Sequence, residues 1–183
     1  AIEIMNHWAS SAVPITAMAA DGKHVYCRIC GTAAAVEMTR QQIYNSNQVN
    51  RESKQAVEIY ADGLNFWKDV REHQLSYFDD ERPLWRLSVP PAARHPIIDG
   101  AEPADWFIGW GGAQRWLFSE APASHIFEAA KQAGGHACLF RGGDRSNDVF
   151  AALSHAQQNL QRRLKQAFDP KAILNPGRMY KAL

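Results

Sequence analysis

Cys27-Arg28-Ile29-Cys30 is the first spacing in the chain that could do chemistry, because two thiols three apart can form a redox disulfide or half of a metal site. Its setting argues against both. Lys23 to Cys30 is β-prone, and residues three apart on a strand point to opposite faces. No second Cys-x-x-Cys follows, and Cys138 stands alone in another β-prone run. Three cysteines, an odd number, give no disulfide framework and fit a reducing compartment, with all three as packing residues. The seven histidines show no H-x-H or H-x-x-x-H ligand spacing. Gly109-x-Gly111-Gly112 lacks the G-x-G-x-x-G spacing of a phosphate loop, and no Gly-Lys-Ser/Thr follows it. No G-x-S-x-G elbow is present, and Asp79-Asp80-Glu81 reads as a polar turn. Nothing in the chain amounts to a self-contained active site.

Composition excludes further classes. A length of 183 residues suits one domain with a real core, and 46% hydrophobic with 21% charged residues are ordinary globular values. A net charge of +1 offers no electrostatic attraction for nucleic acid or an acidic membrane. No apolar run approaches the roughly 20 residues that span a bilayer. The opening Ala1-Ile2-Glu3-Ile4 is neither an initiator Met nor a charged leader, so the chain reads as part of something longer.

The elements that must position any site follow from periodicity. Ile2, Met5 and Ala9, with Ile4 and Trp8 beside them, predict a first helix. Ile15–Ala20 and Lys23–Cys30 flank Asp21-Gly22, a hairpin signal that favours a type I′ turn. Thr32 caps a second helix to about Tyr44 with Ala35, Val36, Thr39 and Ile43 inward. Asn45–Glu52 reads as a loop around a short strand, and Ser53–Phe78 as mostly helical with a break at Asp62-Gly63. Leu84–Val89 is a strand with Trp85, Leu87 and Val89 inward. Asp105–Phe118 reads as two antiparallel strands joined through glycines, Pro122–Gly134 as a helix and His136–Phe140 as a strand. A last helix is capped by Ser146 or Asn147, with Val149, Leu153, Ala156, Leu160, Leu164 and Phe168 at 3–4 spacing. Asp169-Pro170 closes it, and Asn175-Pro176-Gly177 forms a tight turn with Gly177 at the φ > 0 position of type II. The order is α+β: an antiparallel sheet with helices mostly on one face.

The closing run F-D-P-x-x-I-L-N-P-G-R-x-Y, Phe168 to Tyr180, resembles the C-terminal signature of FAD-linked oxidases of the vanillyl-alcohol oxidase/PCMH type. Within them the chain is most similar to the FAD-binding subunits of bacterial glycolate oxidases. The resemblance implies that residues 1–183 form the ferredoxin-like cap and C-terminal region, with the flavin-binding domain ahead of it absent. It implies that residues 168–180 return toward that domain, with Asn175 as the flavin-side contact. Phe66-Trp67-Lys68-Asp69-Val70-Arg71-Glu72 resembles the W-x-x-R-E helix of related 2-hydroxyacid dehydrogenases, with one extra residue before the arginine. Read on its own it is an amphipathic helix with Trp67 and Val70 inward; by resemblance Arg71 anchors a substrate carboxylate, a task its planar, permanently charged fork suits. Ser88 matches a hydroxyl residue on the strand after that helix, while Arg86, on the opposite face from Trp85, is either solvated or aimed at a ligand. In the metal-using relatives a G-H-x-G-D-G-N-x-H strand supplies two histidines, and aligned on Gly109 these fall at Trp110 and Leu117. Neither can ligate a metal, so that site is expected to be lost. Of the Glu-His pair that follows, only His136 remains.

The resemblance therefore implies an FAD-dependent oxidoreductase for glycolate or a similar small 2-hydroxyacid, in which the flavin takes hydride from C2 of the substrate. The expected partners are a hydroxyacid-oxidising flavoprotein subunit and an iron–sulfur subunit, in the cytoplasm and peripheral to the inner membrane through the complex. This stretch alone is expected neither to hold FAD tightly nor to turn over substrate. The alternative is an assembly or electron-relay module, for which the hairpin Trp106–Trp116 is the natural contact face because aromatics favour interface cores.

Overall fold

The computed structural model describes residues 1–49, 57–60, 62–146 and 149–180. In chain order these form α1 (Ile2–Ala9), β1 (Ile15–Ala20), β2 (Val25–Ile29), α2 (Ala33–Val49), α3 (Gly63–Glu72), β3 (Leu84–Ser88), β4 (Phe107–Gly109), β5 (Gln114–Phe118), α4 (Ala123–Gln132), β6 (His136–Arg141) and α5 (His155–Phe168). The strands make one sheet in the order β2-β1-β4-β5-β3-β6, every neighbouring pair antiparallel. The expected α+β class and element order are borne out.

Strand alternation sorts the side chains into two layers. On one face Met18, Trp85, Leu87, Ile108, Leu117 and Leu139 pack with Met5 and Trp8 of α1 and Ile126 and Ala130 of α4. Helix α2 turns Val36, Thr39 and Ile43 away from solvent, and Ile43 packs against this layer. On the other face Phe107, Trp116, Leu84 and Phe118 are covered by Phe78, with Trp67 and Val70 of α3 packed against them. Each large apolar side chain fully buried in this way contributes roughly 1.5–3 kcal/mol. Trp85 also satisfies its indole, Nε1 donating to Ser119 O at 3.1 Å.

Several expectations need correction. The β1–β2 turn is not type I′: Gly22 alone takes a positive φ, of 85°, because Asp21 Oδ1 accepts from the backbone of Lys23 and His24 at 3.0 and 2.8 Å. A Cβ at Gly22 would also lie 2.5 Å from Ala104 O. Helix α2 runs on to Val49, past the expected stop at Tyr44. The long helix shrinks to Gly63–Glu72, with residues 57–60 outside any helix and Ser76–Phe78 a separate 3-10 turn; its expected start at Ser53 lies outside the described residues. His73 stops α3 at φ 55°, and its ring stacks on Phe78 at 4.1 Å.

The last helix also starts later than expected. Ser154 and Gln157 form a capping box, Ser154 Oγ accepting from Gln157 N, and α5 follows. Val149 and Phe150 instead continue the sheet edge, Leu139 N donating to Val149 O at 2.8 Å with Phe150 bridged to Cys138. Ser146 donates to Asp144 Oδ1 rather than capping a helix, and Asn147 lies outside the described residues.

Candidate functional site

Strand register decides which polar side chains meet on the second face. Ser88 lies opposite Gln114 of β5 and opposite His136 of β6, while Arg86 lies between Trp116 and Cys138. Side chains so opposed start about 4.5–5.5 Å apart at Cβ. At the Leu84–Phe118 end of these strands the face is sealed by the cluster around Phe78. At the Arg86–Ser88 end it opens: Arg86 and Ser88 are half-buried and His136 is exposed.

Beside this open end, Arg86, Gln114, Trp110 and Trp116 line part of a broad open depression of about 2520 Å³ that also takes in β2, α3 and residues of α1 and α2. Small-molecule sites occupy roughly 300–1,000 Å³. The depression is thus broader than a single small-molecule pocket. Among the described residues, no group of histidine, cysteine, aspartate and glutamate side chains could hold a metal ion. The two positions aligned with metal histidines do not share a face: Leu117 is buried under the helices, and Trp110 is 72% exposed on the cleft side.

Trp110 is backbone-strained as well as exposed. Its φ is 51°, followed by Gly111 at 63° and Gly112 at 107°. Glycine at 112 is dictated by packing, since a Cβ there would lie 2.6 Å from Pro91 O. The glycines thus serve a tight hairpin tip and show no phosphate cradle. Of the three tryptophans of this hairpin, Trp106 and Trp116 are buried in the two core layers and Trp110 is exposed.

Arg71 lies one turn beyond Trp67 on α3, on the wall of the cleft. Its side chain is 72% exposed, and Nε sits 2.6 Å from Glu72 Oε1. No hydrogen bond or ion pair among the described residues joins it to Arg86 on the floor or to Ser88 beside it. Cys27 packs toward the helix-covered core, where burial pushes its thiol up to about 11, whereas Cys30 is exposed.

The C-terminal signature has an internal clasp that sequence reading missed. Asp169 Oδ1 accepts from Ile173 N at 3.1 Å and Oδ2 from Leu174 N at 2.9 Å, with Lys165 Nζ 2.8 Å from Oδ2. Lys165 also donates to Leu174 O. The lysine, then the backbone amides, hold the Asp169 carboxyl below the usual carboxylate range. The Asn175-Pro176-Gly177-Arg178 turn forms as expected: Arg178 N donates to Asn175 O at 3.3 Å and Gly177 has φ 67°. Asn175 itself is exposed, with φ 44°. Tyr180 comes back to the sheet edge, its ring centroid 5.9 Å from that of Phe150. Before that return the segment is bare: Leu160, Leu164, Phe168, Ile173 and Leu174 are all exposed, Phe168 at 83%. The inward stripe predicted for the last helix therefore faces away from this sheet.

Arg115 is the other residue that sequence reading missed. It is fully buried in the helix-covered layer and donates to four carbonyls: Gly112, Arg94, Pro91 and Ala93, the last at 2.7 Å. It ties the hairpin tip to the loop after β3, and burial pushes its guanidinium down to about 10. Nothing in its flanking sequence distinguishes it from a solvated arginine.

Residues 142–179 match the family "FAD linked oxidases, C-terminal domain". Over 176 residues, 96% of the chain, it is 34% identical to glycolate oxidase subunit GlcE of Escherichia coli (strain K12). The chain spans 44% of that protein's length. No solved structure matches it. The family match falls on the Gly142-Gly143 turn, α5 and the clasped segment, the part least covered by the sheet.

Proposed function

We propose that the chain is the cap and C-terminal region of the FAD-binding subunit of a glycolate oxidase, acting on glycolate or a similar small 2-hydroxyacid. The observation that carries this is the likeness to glycolate oxidase subunit GlcE along 96% of the chain. The open cleft supports it, because its floor combines a half-buried arginine with an amide and two indoles, groups apt for a small carboxylate beside an aromatic ring. The described residues fit one wall of a flavin site and offer no cradle for its pyrophosphate, so the remainder of the subunit holds most of the cofactor. When bound, FAD supplies the two-electron acceptor; this chain binds and orients the carboxylate. Asn175 is the candidate contact on the flavin side, and Arg71 the candidate of the resemblance for the carboxylate. The bare stripe from Leu160 to Leu174 is the surface on which the flavin-binding domain sits.

A second reading is an assembly or electron-relay module, docked to the hydroxyacid-oxidising flavoprotein subunit and the iron–sulfur subunit. The strained, exposed Trp110 favours it. Among the described residues no helix is long and apolar enough to cross a membrane, and a peripheral place in the cytoplasm would come through the complex.

The test is flavin bleaching on anaerobic glycolate addition, with the full-length FAD-loaded subunit alone and with its partner subunits. Bleaching of the lone subunit supports catalysis here. Bleaching only in the complex supports the relay, and Arg71→Ala in the complex then separates lost turnover from lost assembly.

A further inference from the structure

Only two arginines among the described residues are withdrawn from solvent, and the fold treats them in opposite ways. Arg115 is fully buried and its guanidinium is spoken for by four carbonyl oxygens. Arg86 is half-buried on β3, and no hydrogen bond, ion pair or ring contact involves it among the described residues. Taking a guanidinium half out of water without an acceptor costs free energy, so such groups are normally paired. The other arginines of the cleft have partners: Arg28 with Thr16 and the Trp67 ring, Arg40 with Glu37, Arg71 with Glu72, and Arg141 with Phe78 O.

The surroundings of Arg86 specify what is missing. Its directly opposed neighbours are Trp116 and Cys138, and one pair along are Ser88, Gln114 and His136. No carboxylate stands among them. The Ser88 hydroxyl and the Gln114 amide can both donate, and the Trp116 ring walls one side. The face offers a charge and donors without an anion.

We propose that Arg86 is the anchor for the substrate carboxylate, held by its planar fork, with Ser88 and Gln114 positioning the rest of a short 2-hydroxyacid. This rests on the reading of the chain as part of a 2-hydroxyacid oxidoreductase and names the residue that fixes its specificity. Arg71, exposed and engaged by Glu72, stands outside that floor.

The experiment uses the full-length subunit loaded with FAD, assembled with its partners, and oxalate as a carboxylate that cannot be oxidised as a 2-hydroxyacid. Oxalate binding is read from the flavin absorbance, and FAD content and thermal unfolding are checked for every variant. Arg86→Met should weaken oxalate binding by about 10–100-fold, as expected for a charge-assisted pair. Arg86→Lys should recover part of that loss. If Arg86→Met does not hold FAD, Arg86→Lys alone decides, since it keeps charge and bulk but loses the fork. Unchanged oxalate affinity in the folded Arg86 variants overturns the anchor while glycolate still bleaches the wild type. A wild type that neither bleaches with glycolate nor responds to oxalate overturns the underlying reading and the anchor with it.

Discussion

Lys165 and Asp169 meet one turn apart at the end of α5, Nζ 2.8 Å from Oδ2, and through that carboxylate the helix grips the backbone of Ile173 and Leu174. One aspartate thus closes the helix, receives its last lysine and folds the following turn. Replacing it by asparagine keeps the shape but removes the charge and one acceptor. Asp169→Asn should therefore speed amide exchange at Ile173 and Leu174 while leaving the sheet amides protected. The clasp is also pH-linked: its folded pKa is depressed, so its contribution is present above the ordinary aspartate range and lost as pH falls through the folded value. The same amides should lose protection in the wild type only in strong acid.

At the hairpin tip, Trp110 combines φ 51° with an indole in solvent. A left-handed backbone costs a non-glycine residue about 1–2 kcal/mol. Trp110→Gly should relieve roughly that strain and raise the unfolding midpoint in urea. Trp110→Ala keeps the strain and loses only the ring. If the indole is a contact, both variants should bind the partner subunits more weakly, despite their different stabilities.

His95 gives stability a slope on the acid side of neutrality. Its Nδ1 is buried without a hydrogen-bond partner among the described residues, and burial, then the nearby Arg115 charge, push its pKa down to about 4. The unfolded imidazole takes its proton near about 6.5. Between these values the unfolded chain binds more protons, so stability falls as pH drops from about 6.5 to about 4 and flattens below. His95→Phe, which keeps an aromatic ring against Trp106, should flatten that slope in urea titrations across the interval.

Gly135 sits where β6 meets β3, and a Cβ there would lie 1.9 Å from Ser88 O and 2.8 Å from Val89 Cα. Gly135→Ala must pry the strands apart at Ser88 and His136. A loss of about 1–3 kcal/mol in urea denaturation is expected, accompanied by weaker oxalate binding through the displaced Ser88.

Local patterns were legible in the sequence wherever short-range chemistry decides. Thr32 caps α2, Ala35 N lying 3.3 Å from its Oγ1, and the side chains expected inward are withdrawn from solvent. Trp85, Leu87 and Val89 alternate into the core as predicted. The start of α5 was misread because Val149 and Leu153 continue its apolar spacing; the S-x-x-Q of Ser154 and Gln157 was the signal that marks the true start. The open floor was not legible as a group. Ser88 and His136 become neighbours only through the β3–β6 register, and a slip of one residue would send each to the other face. Arg86 could be placed on the face opposite Trp85 from sequence, but its lack of a partner is a property of the assembled sheet.

The strand order also sets a schedule for synthesis. Strand β1 pairs with β2 at once, yet its other edge waits for β4, since Ala20 meets Ile108 eighty-eight residues later. At roughly 5–20 residues per second, a ribosome leaves that edge open for on the order of 4–18 s. The sequence of β1, Ile-Thr-Ala-Met-Ala-Ala, has little bulk with which to recruit a stray strand in that interval. The small side chains that let β4 close over this edge thus also keep the nascent hairpin from finding the wrong partner first.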